Sequence, residues 1–161
     1  MSNKQYKTEW SFSFEEIGKK ISNAFDNIGE DVEVKEVNYA EALGTATSAH
    51  IEIDLSVGET TISALDPEST NLMEADIRYL GELEYHVSGD AEKRIYLGQK
   101  KRGNAFLDSI KHAIKMRKFD ETNLEWHIRL NPNVAFEISL NGGVGLTDAE
   151  LGGLNLTALD V

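Results

Sequence analysis

The chain has 161 residues, enough for one domain, and it carries a net charge of −12 and no cysteine. The lack of cysteine excludes a disulfide framework, a thiolate metal site and a cysteine nucleophile. The negative charge argues against nucleic acid as a partner, because neutralisation of phosphates supplies most of that affinity.

Residues 1–30 predict a polar tail followed by an amphipathic helix. Ser13 and Glu16 have the spacing of a capping box, and apolar residues then recur at helical spacing. Gly29 can end the helix in a left-handed conformation. We expect the apolar face of the helix to cover one end of a β core, with self-association through that face as the alternative.

Residues 31–161 predict a β domain, because the hydrophobic period changes from helical to alternating. The phase of the alternation shifts near Glu36, which predicts a β-bulge there. An unbroken alternation from Ala49 to Val57 predicts one strand, which Gly58 interrupts. Shorter alternating strands follow at residues 62–64, 75–79, 83–87 and 95–97.

The clearest hairpin signal lies in residues 124–140, where two alternating segments flank the sequence Asn-Pro-Asn. A symmetric three-residue loop would pair Ile128 with Phe136 on the core face. The same register would place His127 opposite Glu137 on the outer face. We therefore predict an antiparallel hairpin.

The tail, residues 141–161, predicts brief strands separated by glycine corners. Glycines at 142, 143 and 145 allow positive φ at low cost, and short apolar pairs follow them, as in a rung of a β-solenoid. The earlier segment IEIDLSVGETTI has a similar strand–glycine–strand shape to FEISLNGGVG, a weak internal similarity. Since no polar cap closes the last strand pattern, we expect a domain that is truncated at its C-terminus or a last rung that pairs with another copy.

These segments resemble the bacterial toast-rack proteins, which include the cell-wall-active antibiotic response (LiaF-like) group and adhesin-type members. The resemblance covers residues 45–161 and rests on IEIDLSVGETTIS, ADIRYLGELEYHVSG and the tail from LEWHIRLNPNVAFEISLNGGVG onward. It implies an N-terminal β region that leads into stacked short rungs. It also implies a non-enzymatic role in envelope stress response or adhesion, with no catalytic residues to carry over.

A basic segment, residues 93–118, holds nine Lys or Arg and one acid, Asp108, which gives +8 and leaves −20 for the rest of the chain. Its second half predicts a short amphipathic helix inserted between strands. One interpretation is peripheral binding to an anionic membrane or partner. The favoured interpretation is that the apolar stripe packs on the sheet while the charges meet the protein's own acids. The candidate residues for an anionic surface are Lys100, Lys101, Arg102, Lys111, Lys115, Arg117 and Lys118.

Residue types that carry chemistry do not form a recognised catalytic or metal motif in this sequence. We therefore predict no enzymatic activity, no cofactor, no metal and no small-molecule substrate, and we expect a protein partner or self-association. A carbohydrate-binding β-coil is a further alternative, with Tyr79, Tyr85 and Tyr96 as its candidates. Alternation places Tyr79 and Tyr85 on the side of apolar neighbours, which favours core packing for both.

The predicted fold is thus mainly β, with an antiparallel β sandwich-like region leading into a short β-solenoid rung. The amphipathic helix and the short basic helical insertion complete it. No segment reaches the ~18 apolar residues of a membrane-spanning helix, and the N-terminus lacks the apolar core of a signal peptide. We expect a location in the cytoplasm or on the cytoplasmic face of the membrane.

Overall fold

The structure is a computed structural model that describes residues 6–8, 34–55, 57–100, 124–142 and 144–161. The predicted N-terminal helix and the predicted basic helix lie outside these residues. Within them, the chain is mainly β and forms two sheets around one apolar core. The prediction of a mainly β, two-sheet fold is confirmed.

The described strands divide into two sheets, with a single short 3-10 helix at Leu151–Gly153. Sheet A has the order β1-β10-β4-β8-β5-β2, and sheet B has the order β11-β9-β3-β7-β6. The strands are β1 (Tyr6–Thr8), β2 (Val34–Ala42), β3 (Ser48–Asp54), β4 (Val57–Ala64), β5 (Asn71–Leu80), β6 (Leu83–Ser88), β7 (Glu92–Gln99), β8 (Glu125–Leu130), β9 (Ala135–Asn141), β10 (Val144–Ala149) and β11 (Asn155–Asp160).

Both sheets are mixed, so the prediction of antiparallel sheets is wrong. β3 pairs parallel with β7 and β9, while β4 pairs parallel with β8 and β10. The antiparallel pairs are β2 with β5, β5 with β8, β6 with β7, and β1 with β10. The physical reason is that the chain turns from sheet B into sheet A between β3 and β4, and again between β9 and β10. Strands that follow such equivalent turns point the same way and stack side by side.

The predicted hairpin in residues 124–140 is also wrong. β8 lies in sheet A between β4 and β5, whereas β9 lies in sheet B between β3 and β11. Ile128 therefore pairs with Ile62 and Ala75, and Phe136 pairs with Ala49 in the opposite sheet. The apolar faces of the two strands meet across the core instead of side by side, and alternation alone cannot distinguish these arrangements.

A turn at the predicted Asn-Pro-Asn position carries the chain from sheet A to sheet B. Asn131 is fully buried, and its side-chain amide donates hydrogen bonds to the carbonyl oxygens of Ser69 (3.0 Å) and Asn71 (2.8 Å). Its side-chain oxygen accepts a hydrogen bond from the backbone N–H of Asn133 (3.0 Å). These bonds attach the turn between β8 and β9 to the loop before β5. The prediction of a turn is therefore correct, but the turn contacts a distant loop and does not close a hairpin.

Two predicted strand details differ in the structure. The bulge predicted near Glu36 is absent from β2, since Glu36 pairs with Arg78 in continuous register and the shift occurs between Glu41 and Ala42. The apparent phase change reflects two successive exposed residues at the start of an edge strand, not an extra residue. The strand predicted up to Val57 ends at Asp54, because the chain leaves sheet B there.

The internal similarity of the sequence corresponds to two stacked turns between the sheets. Asp54 pairs with Asn141, 87 positions later, and Gly58 pairs with Gly145 at the same offset. A Cβ on Gly145 would lie 1.7 Å from the Gly58 carbonyl oxygen, so close backbone approach requires glycine. β11 then pairs parallel with β9, in the direction that a further rung would take. The solenoid itself stays a prediction.

Aromatic side chains close the core at the edge formed by β2 and β6. The rings of Tyr39 and Tyr85 stack with centroids 4.2 Å apart, and Tyr79 also packs against the core. The core assignment of Tyr79 and Tyr85 is therefore confirmed. Beside them, the Lys93 ammonium contacts the Glu41 carboxylate at 2.7 Å and links the two sheets. The largest fully buried side chains of the core are Trp126, Phe136, Ile51, Ile53, Ile62, Leu72, Met73, Ile77, Ile95, Leu97, Ile128 and Leu130.

Candidate functional site

The basic segment begins within the described residues at β7. Lys93 is paired with Glu41, and Lys100 places its ammonium 3.2 Å from the Glu82 carboxylate. Lys100 also donates its backbone N–H to the Glu82 carbonyl oxygen at 2.9 Å. Lys100 thus contacts an acid of its own chain. The other candidates, which lie outside the described residues and whose role stays a prediction, are Lys101, Arg102, Lys111, Lys115, Arg117 and Lys118.

β7 of sheet B ends at Gln99 and β8 of sheet A begins at Glu125, both at the edge where the other turns from sheet B to sheet A lie. We call this edge the corner edge, and it includes the connections from β3 to β4 and from β9 to β10. The backbone N–H of Glu59, early in β4, donates to the Leu124 carbonyl oxygen at 2.9 Å. The described residues that flank the basic insertion, Lys100 and Leu124, therefore lie beside the two stacked turns.

The outer face of sheet A carries charges that neutralise one another. The Arg129 guanidinium contacts the carboxylates of Asp76 (2.7 Å) and Glu74 (3.1 Å), and the Asn38 amide hydrogen-bonds to Asp76. His127 lies on the same face. Its Nε2 is 3.2 Å from Glu125 Oε2, and its Nδ1 is 2.7 Å from Thr61 Oγ1. The predicted contact of His127 with Glu137 does not form, because Glu137 lies on sheet B.

The outer face of sheet B has a different character, because an aromatic ring of β7 lies on it. Tyr96 of β7 donates its hydroxyl to Asp54 Oδ2 at 2.9 Å. The side-chain amide of Asn141 donates to Asp54 Oδ1 at 2.7 Å and to Glu52 Oε1 at 3.2 Å. Three parallel strands thus bring one tyrosine, two carboxylates and one amide together near the corner edge.

The surroundings of the Tyr96 hydroxyl disfavour its ionised form. Burial of the Tyr96 hydroxyl raises its pKa to about 12, with further contributions from the hydrogen bond and charge of Asp54 and from the charges of Glu84 and Glu52. The phenol therefore keeps its proton further into the alkaline range than an exposed tyrosine does, and it donates that proton to Asp54 in a hydrogen bond. Asp54 is only 9% exposed, so this bond lies at the protected base of the cluster.

Two histidines border the same face. The ring centroid of His86 on β6 is 6.2 Å from that of Tyr96, and the ring planes differ by 24°. His50 Nδ1 lies 3.4 Å from Glu137 Oε2 in the neighbouring row. The outer face of sheet B thus combines flat rings with acidic side chains.

Sequence reasoning identifies part of this cluster. Tyr96 is a carbohydrate candidate together with Tyr79 and Tyr85, and the structure separates it from them, since Tyr96 alternates with the buried Ile95 and Leu97. Sequence reasoning missed the roles of Asp54 and Asn141. The available signal was their equivalent position in the two similar segments of the chain.

The described part of the chain offers neither a metal site nor a membrane-spanning helix. There, no group of three His, Asp or Glu side chains converges closely enough to hold a metal ion. Among the same residues, none of the helices combines the length and hydropathy needed to cross a bilayer.

Comparison with known protein families matches residues 23–161 to the N-terminal domain of toast_rack, DUF2154. The chain belongs to this toast-rack family. The resemblance predicted over residues 45–161 is confirmed, and the match also includes part of the segment that precedes it. No curated protein matches the sequence.

A solved structure supports the fold of the toast-rack domain. It is the crystal structure of a protein from Clostridium sporogenes described as a putative cell adhesion protein, with 26% sequence identity and a TM-score of 0.59. The similarity covers 80% of this chain and 57% of the other chain. The toast-rack domain described here therefore spans a little over half the length of that protein.

Proposed function

We propose that this toast-rack domain is a non-enzymatic interaction module of the cell envelope and that its role is adhesion. The family match and the similarity to the Clostridium sporogenes protein support an envelope-associated module. We prefer adhesion to envelope stress response because the Clostridium sporogenes protein is described as a putative cell adhesion protein. Envelope stress response, implied by the LiaF-like resemblance, is the alternative.

The observation that carries the proposal is that polar side chains on the outer faces of both sheets are held by cross-strand contacts. On sheet A, Arg129, Asp76 and Glu74 hold one another in cross-strand contacts, and on sheet B Asp54 holds Tyr96 and Asn141. Such faces display fixed polar groups over a rigid sheet, and pre-ordered surfaces lose little conformational entropy on binding. We infer a partner that binds a broad surface, either another macromolecule of the envelope or a second copy of the chain.

Attachment to envelope material tests this proposal. Beads that carry the covalently coupled chain should retain purified bacterial envelope fragments, and beads that carry Gly145→Val should not. The variant is a suitable control because a side chain at this position would overlap the Gly58 carbonyl and disrupt the stack. Equal retention by folded and disrupted chains would contradict an interaction role.

The cellular location of the chain distinguishes adhesion from the envelope stress-response alternative. Adhesion requires the domain to be displayed outside the cytoplasm. Protease treatment of intact cells that produce the chain should degrade it if it is displayed. Protection until the cells are lysed would favour the stress-response alternative.

A further inference from the structure

We propose that the outer face of sheet B is a saccharide-binding platform centred on Tyr96, which takes neutral or N-acetylated oligosaccharides. This inference rests on the proposed adhesive role and deepens it by naming the ligand class and the surface that binds it. We call the site the Tyr96 platform, and its members are Tyr96, Glu52, Asp54, Asn141, Glu84 and His86.

The orientation of the Tyr96 ring is the first argument. Gly98 follows two residues later on the same face of β7, and a Cβ there would lie 2.6 Å from the Tyr96 hydroxyl oxygen and 2.9 Å from Cζ. The ring therefore extends along β7, and its hydroxyl end lies over Gly98, where the absence of a side chain leaves room for it. Tyr96 alternates with the buried Ile95 and Leu97 and is only partly buried, so part of its ring is accessible on the outer face of sheet B. An accessible aromatic ring suits the apolar C–H face of a pyranose.

The rigidity of the ring is the second argument. Its hydroxyl donates to Asp54, which is only 9% exposed and also accepts a hydrogen bond from Asn141. Any side chain at Gly98 would displace the ring, because its Cβ would also lie 2.7 Å from Asp54 Cβ and could not move away from the ring. The platform is thus held in one geometry before a ligand arrives, which lowers the entropic cost of binding.

The groups around the ring supply directional contacts. Glu52 lies beside Tyr96 in the paired row, and Glu84 is close enough to raise the pKa of its hydroxyl. Carboxylates accept strong hydrogen bonds from sugar hydroxyl groups. The exposed side chain of Asn141 lies at the end of the row, and its Nδ2 donates to Asp54 and Glu52.

Charge restricts the class of saccharide. The carboxylates of Glu52, Asp54 and Glu84 would repel uronic acids and sulfated sugars at close range. A cationic peptide is the competing occupant, because a cation is attracted both to carboxylates and to an aromatic face. Arg94, exposed on the same face two residues before Tyr96, opposes a cation there. Neutral sugars are repelled neither by the carboxylates nor by Arg94.

Binding measurements on the full chain test the platform. The probes are oligosaccharides of β-1,4-glucose, N-acetylglucosamine and mannose, with oligogalacturonate and oligolysine for comparison. Saturation-transfer NMR and calorimetry should detect at least one neutral or N-acetylated probe and should detect no oligogalacturonate. Tyr96→Ala should weaken that binding about tenfold, since the stacked ring is lost.

Two control variants separate the ring from general damage. Tyr96→Phe keeps the ring and should retain most of the affinity. His127→Ala removes an exposed ring from the outer face of sheet A and should leave the affinity unchanged. If Tyr96→Ala does not fold, shifts of the backbone amide signals of Glu52, Tyr96 and Asn141 in the wild-type chain decide the question. Those signals should respond to the sugar, and signals of sheet A should not.

Several outcomes would overturn the platform. It fails if no neutral probe binds, if only oligolysine or oligogalacturonate binds, or if Tyr96→Ala and His127→Ala weaken binding equally. Its failure is distinguishable from failure of the adhesive role. Envelope fragments that bind Tyr96→Ala beads as well as wild-type beads would leave adhesion intact and remove the platform. Sugar binding without retention of envelope fragments would support the platform and contradict the adhesive role.

Discussion

Gly145 and Gly58 are paired in the parallel register of β10 and β4, and neither position has room for a side chain. A Cβ on Gly145 would lie 1.7 Å from the Gly58 oxygen, and a Cβ on Gly58 would lie 2.1 Å from the Leu124 oxygen. Backbone cannot move aside as a flexible side chain can. These two glycines therefore limit how the stacked turns can be built.

We expect Gly145→Ala to lower the free energy of unfolding by about 3 kcal/mol, because the added methyl group must separate β10 from β4. Urea unfolding followed by circular dichroism measures the change. Gly142→Ala is the matched control three residues earlier, since a Cβ there meets no atom within 4 Å. Its effect should stay within about 0.5 kcal/mol. Similar losses for both variants would contradict the close approach.

Asn131 offers a second residue-scale prediction, based on hydrogen bonding. Asn131→Ala would leave the carbonyl oxygens of Ser69 and Asn71 without the donor that now satisfies them in a buried site. Unsatisfied buried acceptors are costly, so we expect a loss of about 2 kcal/mol in unfolding free energy. Asn133→Ala removes an exposed amide that bonds to the Pro67 oxygen and should cost less than about 1 kcal/mol. The same urea measurements compare them, and an equal cost would show that the crossing does not depend on Asn131.

At the scale of elements, β8 and β9 are consecutive strands that lie in different sheets. Glu137 of β9 pairs with His50 of β3, while His127 of β8 projects from the opposite sheet. Packed sheets lie about 10 Å apart, and their outer faces lie farther apart still. A disulfide needs Cα atoms within about 7 Å.

This arrangement predicts the outcome of cysteine cross-linking. Because the chain has no native cysteine, only the introduced cysteines can form a disulfide. His50→Cys with Glu137→Cys should form an intramolecular disulfide on mild oxidation. His127→Cys with Glu137→Cys should not, although a hairpin would bring these two together. Non-reducing electrophoresis and mass spectrometry after proteolysis measure both. A disulfide that forms only in the second variant would support the hairpin and contradict the placement of β8 and β9 in different sheets.

The basic insertion is the second element with a testable expectation. The favoured interpretation is that its charges meet acids of the same chain, and Lys100 with Glu82 is one such pair. We therefore expect the chain to remain in the supernatant when mixed with phosphatidylserine-containing vesicles at moderate salt and centrifuged. Pelleting that is lost when Lys111, Lys115, Arg117 and Lys118 become Gln would instead support membrane binding.

At the scale of the whole molecule, two tyrosines of sheet B, Tyr85 and Tyr96, make the stability of the fold sensitive to alkaline pH. The pKa of Tyr85 is raised to about 12 by burial and by the nearby charge of Glu41, and that of Tyr96 is raised to about 12 by burial and Asp54. An unfolded tyrosine has a pKa near 10. The folded chain therefore holds these protons more tightly than the unfolded chain, and their contribution to stability is complete below pH 10.

We expect the free energy of unfolding to fall as pH rises from about 10 to about 12, because the unfolded chain releases tyrosine protons first. Urea unfolding across this range, together with the ultraviolet absorbance of tyrosinate, measures the effect. The double variant Tyr85→Phe with Tyr96→Phe should show a shallower decline. A decline as steep as that of the wild type would place the alkaline sensitivity elsewhere in the chain.

The sequence by itself determined which residues face the core, where the chain turns and to which family it belongs. Alternation identified Ile51, Ile128 and Phe136 as inward-facing, and glycines marked the turns near the corner edge. These features are local, because side-chain direction in a strand repeats every two residues whatever its neighbours are. The family resemblance followed from the same local patterns in the tail.

Only the tertiary structure decided which strands are neighbours and which polar groups meet. The hairpin prediction failed because Ile128 and Phe136 carry the same inward signal in different sheets. The contact of Asp54 with Asn141 joins residues 87 positions apart, and Tyr96 comes from a third strand. Strand pairing depends on backbone hydrogen bonds between distant segments, and no local period encodes the partner of a strand. The polar cluster on sheet B therefore existed in the sequence as separate residues and became one surface only when the three strands aligned in parallel.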